Sequence, residues 1–341
     1  LGDKKAHMIP RTIATWHIKS WQDELSQLVR SPEVLLTRLN LDPALLPAAL
    51  KAAEAFPLRV TESYLARIQP GDINDPLLRQ ILPLGAELTS PAGYSRDPLN
   101  EAAVNPLPGL VHKYAGRVLL VASGACAINC RYCFRRHFPY EQNNPGRQEW
   151  QAALDYIRAD QTLEEVILSG GDPLAASDKQ LAWLLDQLEA IPHITRLRIH
   201  SRLPIVLPAR ISAEFMAVLQ ASRLQKVMVI HANHPQELDD DVHTSLKRLA
   251  SAGVLLLNQS VLLADINDNT QVLADLSRKL FSYGVLPYYL HLLDSVEGAA
   301  HFAVPEDTAR HIQRTLMEQL PGYLVPRMVR EVAGALSKTP F

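Results

Sequence analysis

The sequence predicts an α/β fold, a partial (β/α)6 TIM-like barrel open on one side, preceded by an N-terminal helical extension. Six short apolar, β-branched runs carry that expectation: Val118–Val121, Val166–Leu168, Leu197–Ile199, Val227–Ile230, Val254–Leu257 and Val285–Leu290. After a longer first interval they recur about every 30 residues, the repeat of βαβ units. Between them lie segments with helical spacing, as in Ser177–Ile191, where Leu181, Leu184, Leu185 and Leu188 share a face. The residues with chemistry fall just after the runs, where a βα barrel places its active site. Six repeats are too few to close an eightfold barrel, hence the open side.

Leu1 to His7, ahead of Met8, are left out of the reading. From Ser20 to about Ile81 the pattern is helical. Leu25, Leu28 and Val29 form one stripe, Val34, Leu35, Leu36 and Leu39 begin another, and Ala44 to Phe56 is rich in Ala and Leu. This stretch is expected to cap the main domain and to carry no chemistry. Pro91, Pro98, Pro106, Pro108 and Gly109 then mark an extended linker. The expected division is 1–111 for extension and linker and 112–341 for the barrel with its C-terminal segment. Within the barrel, Ser177 followed by Gln180 predicts a capping box.

Hydrophobic residues make up 47 % and charged residues 21 %, ordinary values for a soluble globular protein. A net charge of −2 gives neither a polycation for nucleic acid nor a basic face for a membrane. No apolar run approaches the length of a membrane span. The start of the chain does not suggest secretion, and reduced, clustered cysteines fit the cytosol. Nucleic-acid and membrane partners are therefore not expected, and the expected location is cytoplasmic.

All three cysteines fall within eight residues, Cys126-Ala-Ile-Asn-Cys130-Arg-Tyr-Cys133, followed by Phe134-Arg135-Arg136-His137-Phe138. Thiolates are soft ligands suited to iron–sulfur clusters, zinc or Cu(I). A cubane held by three cysteines keeps one iron open for a small molecule, a vacancy that four cysteines would remove. Zinc would want a fourth ligand, which His137 could supply. An odd cysteine count argues against a disulfide framework. The iron–sulfur reading outweighs both.

The C-x3-C-x2-C string resembles the cluster motif of radical S-adenosylmethionine enzymes. The longer Cys-Arg-Tyr-Cys-Phe-Arg-Arg string is similar to the lysine 2,3-aminomutase family, in particular its short bacterial branch, and the likeness runs from about Pro91 to the C-terminus. The resemblance implies a radical S-adenosylmethionine core barrel in which Cys126, Cys130 and Cys133 ligate a [4Fe–4S] cluster that binds S-adenosyl-L-methionine at its open iron. It implies pyridoxal 5′-phosphate as a further cofactor and L-lysine as substrate. A 5′-deoxyadenosyl radical would start a 1,2-amino shift to (R)-β-lysine, with flavodoxin or ferredoxin as reductant. The short branch implies a functional link to elongation factor P and its lysyl-transferring ligase. A free-lysine mutase of β-lysine metabolism or a mutase for another amino acid would share the chemistry. A non-enzymatic cysteine-cluster module would need none of the strand-end residues.

Those residues have readings of their own. Ser169-Gly170-Gly171-Asp172-Pro173 is a common kind of turn, although adjacent glycines permit close backbone approach and a carboxylate accepts from an ammonium. By resemblance it holds the amino group of S-adenosylmethionine. His200-Ser201-Arg202 follows the third run with no assigned role. A lone histidine is more often structural than functional, but His231 matches a family position near the nucleoside. Asn258-Gln259-Ser260 could hold a phosphate or satisfy backbone groups, and its family counterpart lies near pyridoxal phosphate. Asp294 follows an almost wholly apolar segment and must meet a cation. That cation is a structural arginine or, by resemblance, the ε-ammonium of lysine.

Lys338 would ordinarily be a solvated charge near a chain end. Its offset from Gly322-Tyr323-Leu324-Val325-Pro326 matches the family lysine that carries pyridoxal phosphate. Such a lysine needs partial burial or a cationic neighbour to be neutral when it attacks. Glu331 stands where larger family members have an aspartate and is expected in the site. Arg135, a planar two-point donor, is the expected clamp for the substrate carboxylate. Tyr114 and Arg117 are expected with Gln259 around pyridoxal phosphate.

Overall fold

The computed structural model describes residues 20–143 and 147–341, so Leu1–His7 lie outside the described residues. The extension is a series of short helices: Trp21–Ser26, Pro32–Arg38, Leu46–Ala55, Glu62–Leu65 and Pro76–Arg79. Four of them begin on side chains suited to the task, since Ser20, Ser31, Thr61 and Asp75 each accept from a first-turn amide. Helices this short gain little from propensity and depend on packing. Leu35, Tyr64, Leu77 and Leu78 supply it, fully buried in one cluster with Leu120, Val166, Leu184 and Leu246 of the barrel.

The barrel is a nine-stranded sheet hydrogen-bonded in chain order. Its strands are β1 (Leu110–Tyr114), β2 (Arg117–Ser123), β3 (Glu165–Gly170), β4 (Arg196–Ser201), β5 (Gln225–Ile230), β6 (Leu255–Val261), β7 (Leu286–His291), β8 (Arg327–Arg330) and β9 (Thr339–Pro340). From β2 to β8 neighbouring strands run parallel, while β1 and β9 join the two edges antiparallel. No pairing joins β1 to β9 among the described residues, and the barrel stays open. The six expected strands are β2 to β7. The other three were not expected as strands: β1 spans residue 111, at the expected division, and β8 and β9 belong to the C-terminal segment.

Burial alternates along β3, β4 and β6. On β3, Val166 and Leu168 are buried in the core, whereas Glu165, Ile167 and Ser169 line the barrel cavity. Leu257, Gln259 and Val261 do the same on β6. The period of two thus divides each strand between packing and site. Ser177 and Gln180 form the expected capping box, with amide-to-side-chain distances of 3.3 and 3.0 Å. Among the described residues no helix is long and apolar enough to cross a membrane.

Candidate active site

A cavity of about 1000 Å³ occupies the barrel, at the upper end of the range for small-molecule sites. The residues expected to hold the cofactors and substrate line it, from the three cysteines at one end to Asp294, Glu331 and Lys338 at the other, whereas His137, Asn258 and Ser260 do not.

The extension packs on the barrel as the expected cap and also holds the cysteine end through backbone contacts. Asn129 and Arg131 donate from their backbone to the carbonyls of Arg59 and Gln80. Arg131 forms a two-point pair with Glu87 (2.8 and 2.5 Å), and Arg136 reaches the same carboxylate at 2.7 Å. All three side chains are nearly inaccessible, at 0, 2 and 1 % exposure for Arg131, Arg136 and Glu87. Glu87 is thus the counter-charge of two arginines beside the cysteines, a role that nothing in its own stretch of sequence disclosed.

Burial pushes the Cys126 thiol well up and that of Cys133 to about 12. Thiols that burial keeps protonated, as at Cys126 and Cys133, suit a ligand group that brings its own positive charge. Among the described residues no three His, Cys, Asp or Glu side chains converge on a single-ion site. His137 instead turns Nε2 to the Glu297 carbonyl at 3.3 Å. With His137 so engaged, the four-ligand zinc arrangement lacks its expected fourth ligand.

The Gly170-Gly171-Asp172 turn differs in detail from its expected use. Gly170 has φ +124°, and a Cβ there would lie 2.6 Å from the Ser123 carbonyl oxygen. One on Gly171 would lie 2.6 Å from the carbonyl of Ala125. The glycines therefore let β3 press against the loop entering the cysteines. Asp172 accepts from Ser201 Oγ (2.7 Å) and from the amides of Arg202 (2.7 Å), Leu174 (3.0 Å) and Leu203 (3.2 Å). Burial raises its carboxyl to about 6, against the pull of those donors. Four protein donors already meet the carboxylate expected to receive an ammonium.

Arg135 also meets a partner that the sequence did not disclose. Its Nε and Nη2 grip both oxygens of Glu101 at 2.8 and 2.7 Å, leaving Nη1 on Ser169 Oγ at 3.2 Å. The two-point face expected for a substrate carboxylate is occupied in this conformation.

The middle of the cavity carries His200 and His231, edge to face at 5.9 Å, and His291. Burial keeps all three neutral, pulling His231 down to about 4, His291 to about 3 and His200 well below the usual range. Nε2 of each histidine and Oε1 of Gln259 are buried with no hydrogen-bond partner. Such atoms are costly unless something meets them, and a bound cofactor would.

At the far end, the β8–β9 hairpin returns Lys338 to the cavity through the pairings Val329–Pro340 and Arg330–Thr339. Glu331 binds Lys338 Nζ and also accepts from Lys113 Nζ and the Tyr114 hydroxyl, each at 2.8 Å. Burial would push Glu331 up, but Lys338, Lys113 and Tyr114 hold it at about 2. Burial pulls Lys338 down, while Glu331 and Asp294 hold it up. Arg117 stacks over Tyr114 at 4.7 Å. Asp294 makes no side-chain hydrogen bond or ion pair among the described residues, and no arginine meets it. Burial pushes its carboxyl up to about 7.

The Radical SAM superfamily model matches residues 120–249. The L-lysine 2,3-aminomutase of Escherichia coli (strain K12) is 51 % identical over 98 % of this chain and 98 % of its own length. That of Haemophilus influenzae is 48 % identical over 95 % of this chain and 96 % of its own. The enzyme of the same name from Clostridium subterminale is 36 % identical over 96 % of this chain and 78 % of its own. With three thiols at the head of a parallel barrel and near full-length likeness at these identities, the chain belongs to the lysine 2,3-aminomutase family of radical S-adenosylmethionine enzymes, and it is an isomerase.

Proposed function

We propose that the chain converts L-lysine to (R)-β-lysine with a [4Fe–4S] cluster, S-adenosylmethionine and pyridoxal phosphate. One observation carries this reading. A single cavity joins three ligand-type thiols to a buried lysine on a carboxylate, and beside that lysine lies a buried, unpaired aspartate. When bound, these cofactors supply the radical and the ring that carries the migrating nitrogen.

The chain supplies position and charge. Cys126, Cys130 and Cys133 hold the cluster, and Gly170, Gly171 and Asp172 shape the turn beside it. His231, neutral and unpartnered at Nε2, faces the nucleoside. Lys338 carries pyridoxal phosphate, with Tyr114, Arg117 and Gln259 around it. Glu331 keeps a proton acceptor beside the Lys338 amine, and its contact with Lys113 compensates the negative charge. Asp294 takes the ε-ammonium of lysine. Arg135 is the clamp for the substrate carboxylate once Glu101 releases its fork. Resemblance to the short branch supports the remaining parts of the reading. The chain works in the reducing cytoplasm with flavodoxin or ferredoxin as electron donor, and its product feeds the modification of elongation factor P by its lysyl-transferring ligase.

Protein reconstituted anaerobically with iron and sulfide is expected to make β-lysine from lysine, S-adenosylmethionine and dithionite. Absence of β-lysine from fully loaded protein would overturn the reading. Asp294→Asn is expected to lower kcat/KM for lysine by roughly one to three orders of magnitude, the scale of a lost contact with a charge. Its iron content should not change. A mutase for an acidic amino acid would want a cation at this position, so Asp294 disfavours that alternative.

A pH signature accompanies the contact. Burial raises the Asp294 carboxyl to about 7, and the group must release its proton to pair with an ammonium. KM for lysine should therefore rise as pH falls below about 7, and that limb should flatten in Asp294→Asn. An unchanged pH profile in the variant would place the ammonium elsewhere.

A further inference from the structure

Arg202, the residue after β4, has no part in the reading above, yet it is among the most elaborately held side chains in the protein. It is 5 % exposed. Its guanidinium donates to Cys130 Sγ at 2.6 Å, to Gln80 Oε1 at 2.6 Å, to Glu237 Oε2 at 2.9 Å and to the Tyr64 hydroxyl at 3.3 Å. The rings of Tyr64 and Tyr132 flank it at 5.5 and 5.7 Å. Its own amide is tied to Asp172 at 2.7 Å. Glu237, fully buried, keeps its other oxygen on the amides of Asn233 and His234 at 2.8 and 3.2 Å.

A bland account makes Arg202 a strut that neutralises Glu237 and ties the extension to the strand ends. That account leaves the sulfur contact unexplained. Glu237, Gln80 and Tyr64 hold the guanidinium on one side, and one nitrogen is directed at Cys130. A thiol is a weak acceptor and a metal-bound thiolate a stronger one. Among the described residues no side chain donates a hydrogen bond to the sulfur of Cys126 or Cys133. The Arg135 amide meets the Cys133 sulfur, so what is specific to Cys130 is a charged side-chain donor.

We propose that Arg202 is a positioning residue for the iron–sulfur chemistry: braced by Glu237 and Gln80, it hydrogen-bonds the Cys130 sulfur and raises the reduction potential of the cluster. This rests on the reading that the three cysteines hold a [4Fe–4S] cluster. The step affected is the addition of one electron, from an external low-potential donor, to the oxidised cluster, with no bond made or broken. The reduced form carries one more negative charge, so a donor and a cation at a ligand sulfur favour it. Glu237 lies behind the guanidinium and tempers that effect.

The test is a redox titration of reconstituted protein followed by electron paramagnetic resonance, with iron content and S-adenosylmethionine binding measured in parallel. Arg202→Lys keeps the charge but cannot reach both sulfur and carboxylate. It should retain about four irons per chain. Its equilibrium constant for reduction should fall about tenfold, a midpoint about 59 mV lower for one electron. Glu237→Gln leaves the guanidinium uncompensated and should move the midpoint the other way. A strut alone would give no such pair of opposite shifts. A fully loaded variant of either kind with the wild-type midpoint would overturn the proposal. If Arg202→Lys fails to hold a cluster, Glu237→Gln decides. A raised midpoint supports the proposal, whereas an unchanged or lowered one, or a lost cluster, overturns it. Wild-type protein that takes up no iron would instead refute the cluster reading itself.

Discussion

Lys338→Ala is expected to abolish both the pyridoxal-phosphate absorbance and lysine turnover while leaving iron content and S-adenosylmethionine binding intact. The residue lies three from the last position, where side chains are usually solvated. Here β9 pairs with β8 and turns the amine inward, so burial and not sequence position governs its chemistry. Burial lowers its proton affinity and Glu331 works against that, a balance that supports a lysine able to be neutral when it attacks. The structure also names the competitor. Lys113 reaches the same carboxylate at 2.8 Å and would be the alternative carrier. Borohydride reduction followed by peptide mapping should label Lys338 and leave Lys113 unlabelled. Saturating pyridoxal phosphate should raise the melting temperature of the wild type but not of Lys338→Ala. Label on Lys113, or normal turnover by the variant, would reject the assignment.

Glu87→Ala should be the most damaging single change for stability outside the apolar core. It strands two guanidinium groups, Arg131 and Arg136, that are almost wholly inaccessible. Removing one partner of a buried ion pair costs about 3–5 kcal/mol, because the remaining charge is left without compensation. Arg131 keeps its bond to the Phe56 carbonyl at 2.7 Å, which limits the loss without neutralising the charge. Glu62→Ala provides the contrast, since its pair with Arg38 is exposed at 29 and 45 % and should be worth about 1 kcal/mol or less. Denaturant midpoints at constant slope would compare the two. Because Arg131 and Arg136 bracket the last cysteine, Glu87→Ala should also slow cluster loading. Equal midpoints for the two variants would mean that the Glu87 carboxylate is not the counter-charge of the loop.

The barrel was legible where each strand announces itself. The six apolar runs became β2 to β7 because a strand packed in a parallel sheet carries its pattern in its own residues. β8, Arg-Met-Val-Arg, and the two-residue β9 are too short for any period, and they exist because a neighbour offers an edge. The cysteines were legible from spacing alone, and Lys338 only through resemblance. Glu87, Glu101, Gln80 and Glu237 were not legible at all. Their partners stand 34 to 122 residues away, and in sequence they look like ordinary surface groups. The same blindness hid the carboxylate on the fork of Arg135. A lone buried charge shows itself by its neighbours in the chain, whereas a buried pair shows itself only after folding.

The bonds of Arg67 have a consequence for synthesis. This side chain of the extension donates to the backbone carbonyls of Ile205 and Glu237, 138 and 170 residues further on. At about 5–20 residues per second, a ribosome needs roughly 10 to 30 seconds to deliver the second of them after the first helices have emerged. Throughout that interval Leu35, Leu77 and the other apolar groups of the extension have no barrel to cover them. A nascent chain stalled before residue 237 would therefore present a sticky, half-built surface, and chaperone capture should peak on such intermediates rather than on the finished protein.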